Sequence, residues 1–410
     1  MTRPQTQTMR LGPRPLALHL ALATMNCAGS SVALPLLRNA SLHWKEPLQQ
    51  AAADLATAIA KTDTEALRQA VERESLERLD RFLTGVEHYR RHTYRRTADT
   101  SSPVWTDGNA TLCRFGDDGP AVLLVASLIN RSYILDLGPK RSFARWLAAR
   151  GFRCYLLDWG APGESECRYS VDDYIAGPLQ AAFDAVRTDA GGKVSILGYC
   201  MGGLLALALA LRNRADVASL VLLATPWDFH AEDPEQARTL GTAMRAFEPQ
   251  LQTFGSLPTD TLQYLFCLLD PFLGIRKFTV FAGLDQNSEA ARRFVALEDW
   301  LNDGVPLAAP VARACAFDWY GKNSPARGDW HVCGAQIRPE DWDTPAYVVI
   351  PAADRIVPPA SAEGLARALP NAAVKRPRVG HIGMIAGRGV TRSIWSPLAN
   401  WLSKNCTAEP

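Results

Sequence analysis

The stretch Val194–Gly203, V-S-I-L-G-Y-C-M-G-G, constrains the fold of this chain more than any other. An apolar run ends at Gly198, and Tyr199, Cys200, Met201, Gly202 and Gly203 follow. An Ala/Leu-rich run, Leu204–Leu211, comes next. This order predicts a strand, a sharp turn and a helix, with Cys200 displayed on the turn. Glycines on both flanks let such a turn tighten without Cβ clashes. A thiol at a helix N-terminus meets the positive end of the backbone dipole, which favours the thiolate. A glycine–cysteine–glycine string alone also describes a buried structural cysteine, so partners elsewhere must decide.

The rest of the chain predicts an α/β architecture. Ala121–Ser127 is a continuous apolar run, as a strand covered on both faces should be. Thr111–Phe115, Phe152–Asp158, Ala218–Ala224 and Ala346–Ile350 are further strands, with a weaker one near Val374. Helices are expected at Arg141–Arg150, Asp172–Asp189, Ala360–Leu369 and Thr391–Ser403. Alternating strands and helices imply a doubly wound, mostly parallel sheet. The stretch 228–344 is far longer than a crossover requires and is rich in large apolar residues, including Phe247, Leu251, Phe254 and Phe278. It reads as an inserted helical cap within a catalytic domain over 108–410. Leu48, Leu55, Ile59, Leu67, Val71, Phe82 and Val86 recur at helical spacing, so 1–107 reads as a helical extension and linker. Residues 1–12 are expected to be disordered, and Asp99–Asp107 to be the linker. The extension is either a solvated helical face or a docking surface.

Composition narrows the function classes. A net charge of +2 gives no reason to expect a nucleic-acid partner. The nine cysteines are scattered without a C-x-x-C pair, so no metal site or redox motif is indicated, and reduced thiols suit a cytoplasmic location. Arg3, Arg10 and Arg14 before the apolar Pro15–Val32 loosely resemble a signal peptide, but His19 and Asn26 interrupt it. A short amphipathic helix is the preferred reading there, and no transmembrane segment is expected.

Two more positions give Cys200 its partners. Asp354 follows the Ala346–Ile350 strand, where α/β sheets place their chemistry. His381 lies later, in G-H-I-G. The order of nucleophile, acid and histidine is that of α/β-hydrolases. A thiol at neutral pH needs an imidazole to take its proton, and a carboxylate to orient that imidazole. Of the other histidines, His19, His43, His88 and His92 precede the sheet, and His230 and His331 fall in the cap. Asp158 and Asp228 also end strands and are rivals to Asp354. The oxyanion of an acyl-transfer intermediate needs amide donors. Backbone N–H groups of Met201 and of Ile129 are the expected pair, with Asn130 beside them.

The blocks L-I-N-R-S-Y-I-L-D-L (128–137), Y-L-L-D-W-G (155–160), D-D-Y-I (172–175), G-Y-C-M-G-G (198–203), T-P-W-D-F (225–229), D-R-I-V-P-P (354–359) and G-H-I-G (380–383) together carry a resemblance. The chain resembles polyhydroxyalkanoate (PHA) synthases, especially the shorter, two-subunit kind. The resemblance implies an α/β-hydrolase fold and a 3-hydroxyacyl-CoA substrate. Cys200 would be acylated with release of CoA, and a hydroxyl would then attack the thioester to lengthen a polyester. His381 would activate Cys200, and Asp354 would assist at the substrate hydroxyl or through His381. It implies no cofactor and no metal. The implied partners are the polyester chain and either a second copy or a second synthase subunit, and the implied location is the cytoplasm, including polyester granule surfaces. Met201 departs from the commonest elbow residue of that family, and the cap matches least. The residues themselves leave a cysteine-dependent hydrolase of esters, lactones, thioesters or polyester open, as well as a non-catalytic granule protein.

Overall fold

The computed structural model describes residues 9–39, 41–97, 103–139 and 141–406. The expected disordered residues 1–8 and linker residues 99–102 lie outside them. The chain divides into two units: residues up to Arg95 with Gln263–Asn302, and Arg96–Leu262 with Asp303 onward. This division differs from the boundaries expected at 107 and at 228–344, because the middle of the inserted stretch belongs with the N-terminal helices.

The first unit is helical, built on Leu16–Arg38, Gln49–Ala60, Thr64–Arg91, Leu273–Ala282 and Glu289–Asn302. Its core joins Phe82, Val86 and Tyr89 to Phe278, Phe281 and Val295, with Leu16, Leu20 and Ala23 against it. The rings of Phe281 and Phe294 stack 4.2 Å apart, and Phe278 meets Phe82 edge-on at 6.3 Å. Gly85 lets the helices close up, since a Cβ there would overlap the Phe278 carbonyl.

Two expectations for this unit are corrected. Arg10 is not in a disordered segment: its guanidinium pairs with Asp299 at 2.5 and 3.0 Å and reaches the carbonyl of His92. The helix Leu16–Arg38 is longer than the short amphipathic helix expected, and by length and composition it is apolar enough to cross a membrane. Thr24 and Ser30 do not interrupt it, because their hydroxyls donate to the carbonyls of Leu20 and Asn26 one turn back.

The second unit carries an eight-stranded sheet. Its strands are β1 (Trp105–Asp107), β2 (Ala110–Phe115), β3 (Ala121–Val125), β4 (Arg153–Asp158), β5 (Val194–Tyr199), β6 (Val217–Leu223), β7 (Ala346–Val349) and β8 (Ala372–Lys375). The order is β1-β2-β4-β3-β5-β6-β7-β8. β1 and β2 pair antiparallel, as do β2 and β4, and the remaining pairs are parallel. Every residue of β3, β5 and β6 is buried, which explains their unbroken apolar sequences.

The helix expected over Asp172–Asp189 is broken instead. Val171–Tyr174 is α-helical, Ile175–Leu179 widens into a π-helix, and Gln180–Ala190 resumes the α-helix. Pro178 cannot donate to the preceding turn, and Gly177 takes non-helical angles there.

Candidate active site

Cys200 follows β5 directly and precedes the helix Met201–Arg212. Its backbone sits at φ 57°, ψ −130°, a strained conformation for a side chain other than glycine. Two hydrogen bonds hold it there: Cys200 N–H donates to the Leu223 carbonyl at 2.8 Å, and Gly203 N–H donates to the Cys200 carbonyl at 2.9 Å. The flanking glycines serve close packing. A Cβ on Gly202 would overlap the Val125 and Ala126 carbonyls, and one on Gly203 would overlap Thr225.

The loops after β7 and β8 bring the other two residues together. His381 Nδ1 lies 2.7 Å from Asp354 Oδ2, and both side chains are buried. The other oxygen, Oδ1, accepts the N–H groups of Ile356 and Val357 at 2.8 and 2.9 Å, so the carboxylate is fixed by its own turn. A carboxylate only accepts, so Nδ1 carries the proton, and Nε2 is the ring nitrogen left for a thiol. Burial pulls the imidazole downward, but the nearby Cys200 and the hydrogen-bonded Asp354 carboxylate together outweigh it and raise His381 to about 10. Tyr199 supports the ring from below, with centroids 5.2 Å apart, and its hydroxyl donates to the His381 carbonyl at 3.3 Å. A thiol beside an imidazole that is oriented by a carboxylate is an activated nucleophile for acyl chemistry.

The two rival carboxylates have other occupations. Asp228 Oδ1 accepts Asn323 Nδ2 at 2.8 Å and the His230 N–H at 3.0 Å. Asp158 accepts from Ser132, Arg131 and Gly160.

Met201 opens its helix, so its N–H has no acceptor one turn earlier within that helix. Ile129 is the second expected donor. Its N–H donates to Ser127 Oγ at 3.2 Å and is occupied. The neighbouring Asn130 N–H has no acceptor among the described residues, and Asn130 Oδ1 is buried without a partner.

Sequence reasoning missed the aromatic group around the T-P-W-D-F block. Phe229 packs on Tyr320 at 4.9 Å and Trp319 at 5.9 Å, while Trp330 joins Trp227 to Trp319. Trp319 and Tyr320 come from the π-helix Ala314–Gly321, with Cys315 on the same element. Burial pushes the Cys315 thiol and the Tyr320 hydroxyl up to about 12, and the charge of Cys200 adds to both shifts. No local motif marks these residues; only the wealth of aromatics after Asp228 pointed towards them. Among the described residues no group of three or more His, Cys, Asp or Glu side chains is arranged to hold a metal.

A family described as having the alpha/beta hydrolase fold matches residues 120–387, which span every sheet strand after β2 and all three of Cys200, Asp354 and His381. The chain belongs to the alpha/beta-hydrolase family. Within it, three similar relatives carry the name poly(3-hydroxyalkanoate) polymerase subunit. The Haloferax mediterranei protein is 28% identical over 69% of this chain. Those of Thiocystis violacea and Synechocystis sp. are each 28% identical, over 73% and 81% of it. This alpha/beta hydrolase spans 58% of the Haloferax mediterranei protein's length, against 87% and 92% of the other two.

Proposed function

We propose that this alpha/beta hydrolase is an acyltransferase that polymerises 3-hydroxyacyl-CoA into a polyester through a thioester on Cys200. The observation that carries the reading is Cys200 standing in the nucleophile position beside the His381–Asp354 pair. The relatives' name, poly(3-hydroxyalkanoate) polymerase subunit, supports a growing polyester rather than water as the acceptor. In the first step the Cys200 sulfur attacks the thioester carbonyl. Backbone N–H groups of Met201 and Asn130 stabilise the oxyanion. CoA leaves as its thiolate and takes the proton held by His381. In the second step His381 removes the proton from a 3-hydroxyl, the alkoxide attacks the Cys200 thioester, and the Cys200 thiolate leaves. One ester bond forms and one thioester breaks, so the chain grows by one unit. The aromatic group of Phe229, Trp319 and Tyr320 limits water near the acyl-enzyme.

The exposed apolar side chains Leu268, Leu269, Phe272, Leu273 and Val280 support a protein partner, either a second synthase subunit or a second copy of the chain. The expected setting is the cytoplasm and the surface of polyester granules. The test is to incubate the purified protein with 3-hydroxybutyryl-CoA and follow both CoA release and insoluble polymer. Release with polymer is the expected result. Release with free 3-hydroxybutyrate alone would contradict the reading and make the protein a thioesterase.

A further inference from the structure

The loop that leaves β3 must present one free N–H at a fixed place, yet it is an irregular segment. Its start is already against the nucleophile turn, because Gly202 packs on the Val125 and Ala126 carbonyls and Val125 pairs with Gly198. Its two ends are held by consecutive residues at the end of β4. Trp159 Nε1, buried, donates to the Ala126 carbonyl at 3.0 Å. Asp158 Oδ2 accepts the Ser132 hydroxyl at 2.8 Å and the Ser132 N–H at 3.3 Å. Its Oδ1 meets Arg131 Nη1 at 3.3 Å and accepts the Gly160 N–H at 2.8 Å. A third strap comes from the inserted stretch, where Val305 N–H donates to the Ile129 carbonyl at 3.2 Å. Between these anchors lies Asn130, which bridges to Gly304 and whose N–H meets no acceptor among the described residues.

We infer that Asp158 and Trp159 are positioning residues that clamp the loop from Ala126 to Ser132 and so fix the second oxyanion donor beside Cys200. This rests on the proposed acylation of Cys200. A carboxylate and an indole reaching the two ends of one loop leave little freedom for the residues between. Neither side chain touches the reacting atoms in this scheme; both act through the position of the Asn130 N–H.

The test separates oxyanion stabilisation from everything else the site does. Alkylation of Cys200 by iodoacetamide needs a thiolate but forms no oxyanion, whereas acylation by p-nitrophenyl acetate forms one. Asp158→Asn and Trp159→Phe, the latter keeping the ring against Tyr174, are compared with the parent protein. Each is expected to slow acylation about 10- to 100-fold, less than the loss of a whole oxyanion donor. Alkylation should stay within about 2-fold. With 3-hydroxybutyryl-CoA the loss should fall on kcat rather than KM. Ser132→Ala added to Asp158→Asn should cost little more, since both cut the same anchor. Equal losses in acylation and alkylation, or acylation within about 2-fold of the parent in Trp159→Phe, would overturn the inference. Because p-nitrophenyl acetate acylates a nucleophilic thiol whatever the natural donor, failure of 3-hydroxybutyryl-CoA in the parent protein would count against the proposed function and not against this clamp.

Discussion

Asp354 Oδ2 stands 2.7 Å from His381 Nδ1, and the other oxygen of the same carboxylate is held by two backbone N–H groups. The imidazole can therefore adopt only one useful tautomer. Asp354→Asn keeps the shape and removes the acceptor that fixes Nδ1–H. CoA release should fall about 10³-fold with the Cys200-containing fold intact. Single-turnover CoA release with circular dichroism in parallel checks both parts.

The pH behaviour of His381 carries a sign. Its folded value, about 10, lies above the ordinary 6.5, so its charged form stabilises the native state. That contribution is complete below about pH 6.5 and is lost as the pH rises towards 10. Cys200→Ala removes one of the interactions that together outweigh burial, so His381 should titrate at a lower pH in that variant. Imidazole NMR titration of the two proteins, with melting temperatures across the same range, measures the difference. An unchanged His381 titration would show that Cys200 is not its electrostatic partner.

Gly203 packs where a methyl group would overlap Thr225, a residue with a fully buried side chain. Gly203→Ala should therefore lower stability by about 1–3 kcal/mol and displace the turn that holds Cys200. Urea unfolding gives the first quantity, and the iodoacetamide rate at Cys200 reports the second.

The helical unit depends on Phe278, which is fully buried against Phe82, Tyr89 and Phe294. Phe278→Ala should cost about 3–5 kcal/mol there. Limited proteolysis should then cut within residues up to Arg95 before it cuts the sheet. Simultaneous loss of both units would show that they unfold as one.

The parts of the fold that were legible in the sequence are those whose burial is total. β3, β5 and β6 show as apolar runs because both faces are covered, and Cys200 shows because a glycine-flanked turn must follow one of them. The edge strand β1 did not show, since W-T-D is short and half exposed. The union of Gln263–Asn302 with the N-terminal helices was hidden for another reason. An amphipathic face states that it will be buried but not against what, and Phe82 gives no sign of choosing Phe278. At the candidate site, the pairing of Asp354 with His381 was readable from chain order. That the Ile129 N–H meets the Ser127 hydroxyl was not, because the sequence does not say where that hydroxyl points. The brace formed by Asp158 looked in the sequence like a second catalytic candidate, and only its contacts with Ser132 and Arg131 reveal what it holds.

The account stands on one covalent bond. The most direct measurement is mass spectrometry of the peptide containing Cys200 after acid quenching of a reaction with 3-hydroxybutyryl-CoA. The predicted result is a 3-hydroxybutyryl group, and oligomers of it, on the Cys200 sulfur in the parent protein. Cys200→Ala should show no adduct and no CoA release, and Cys200→Ser only a trace, because a hydroxyl is a far weaker nucleophile at neutral pH. CoA release that persists in Cys200→Ala, or an acyl group found on another residue while Cys200 stays bare, would contradict it.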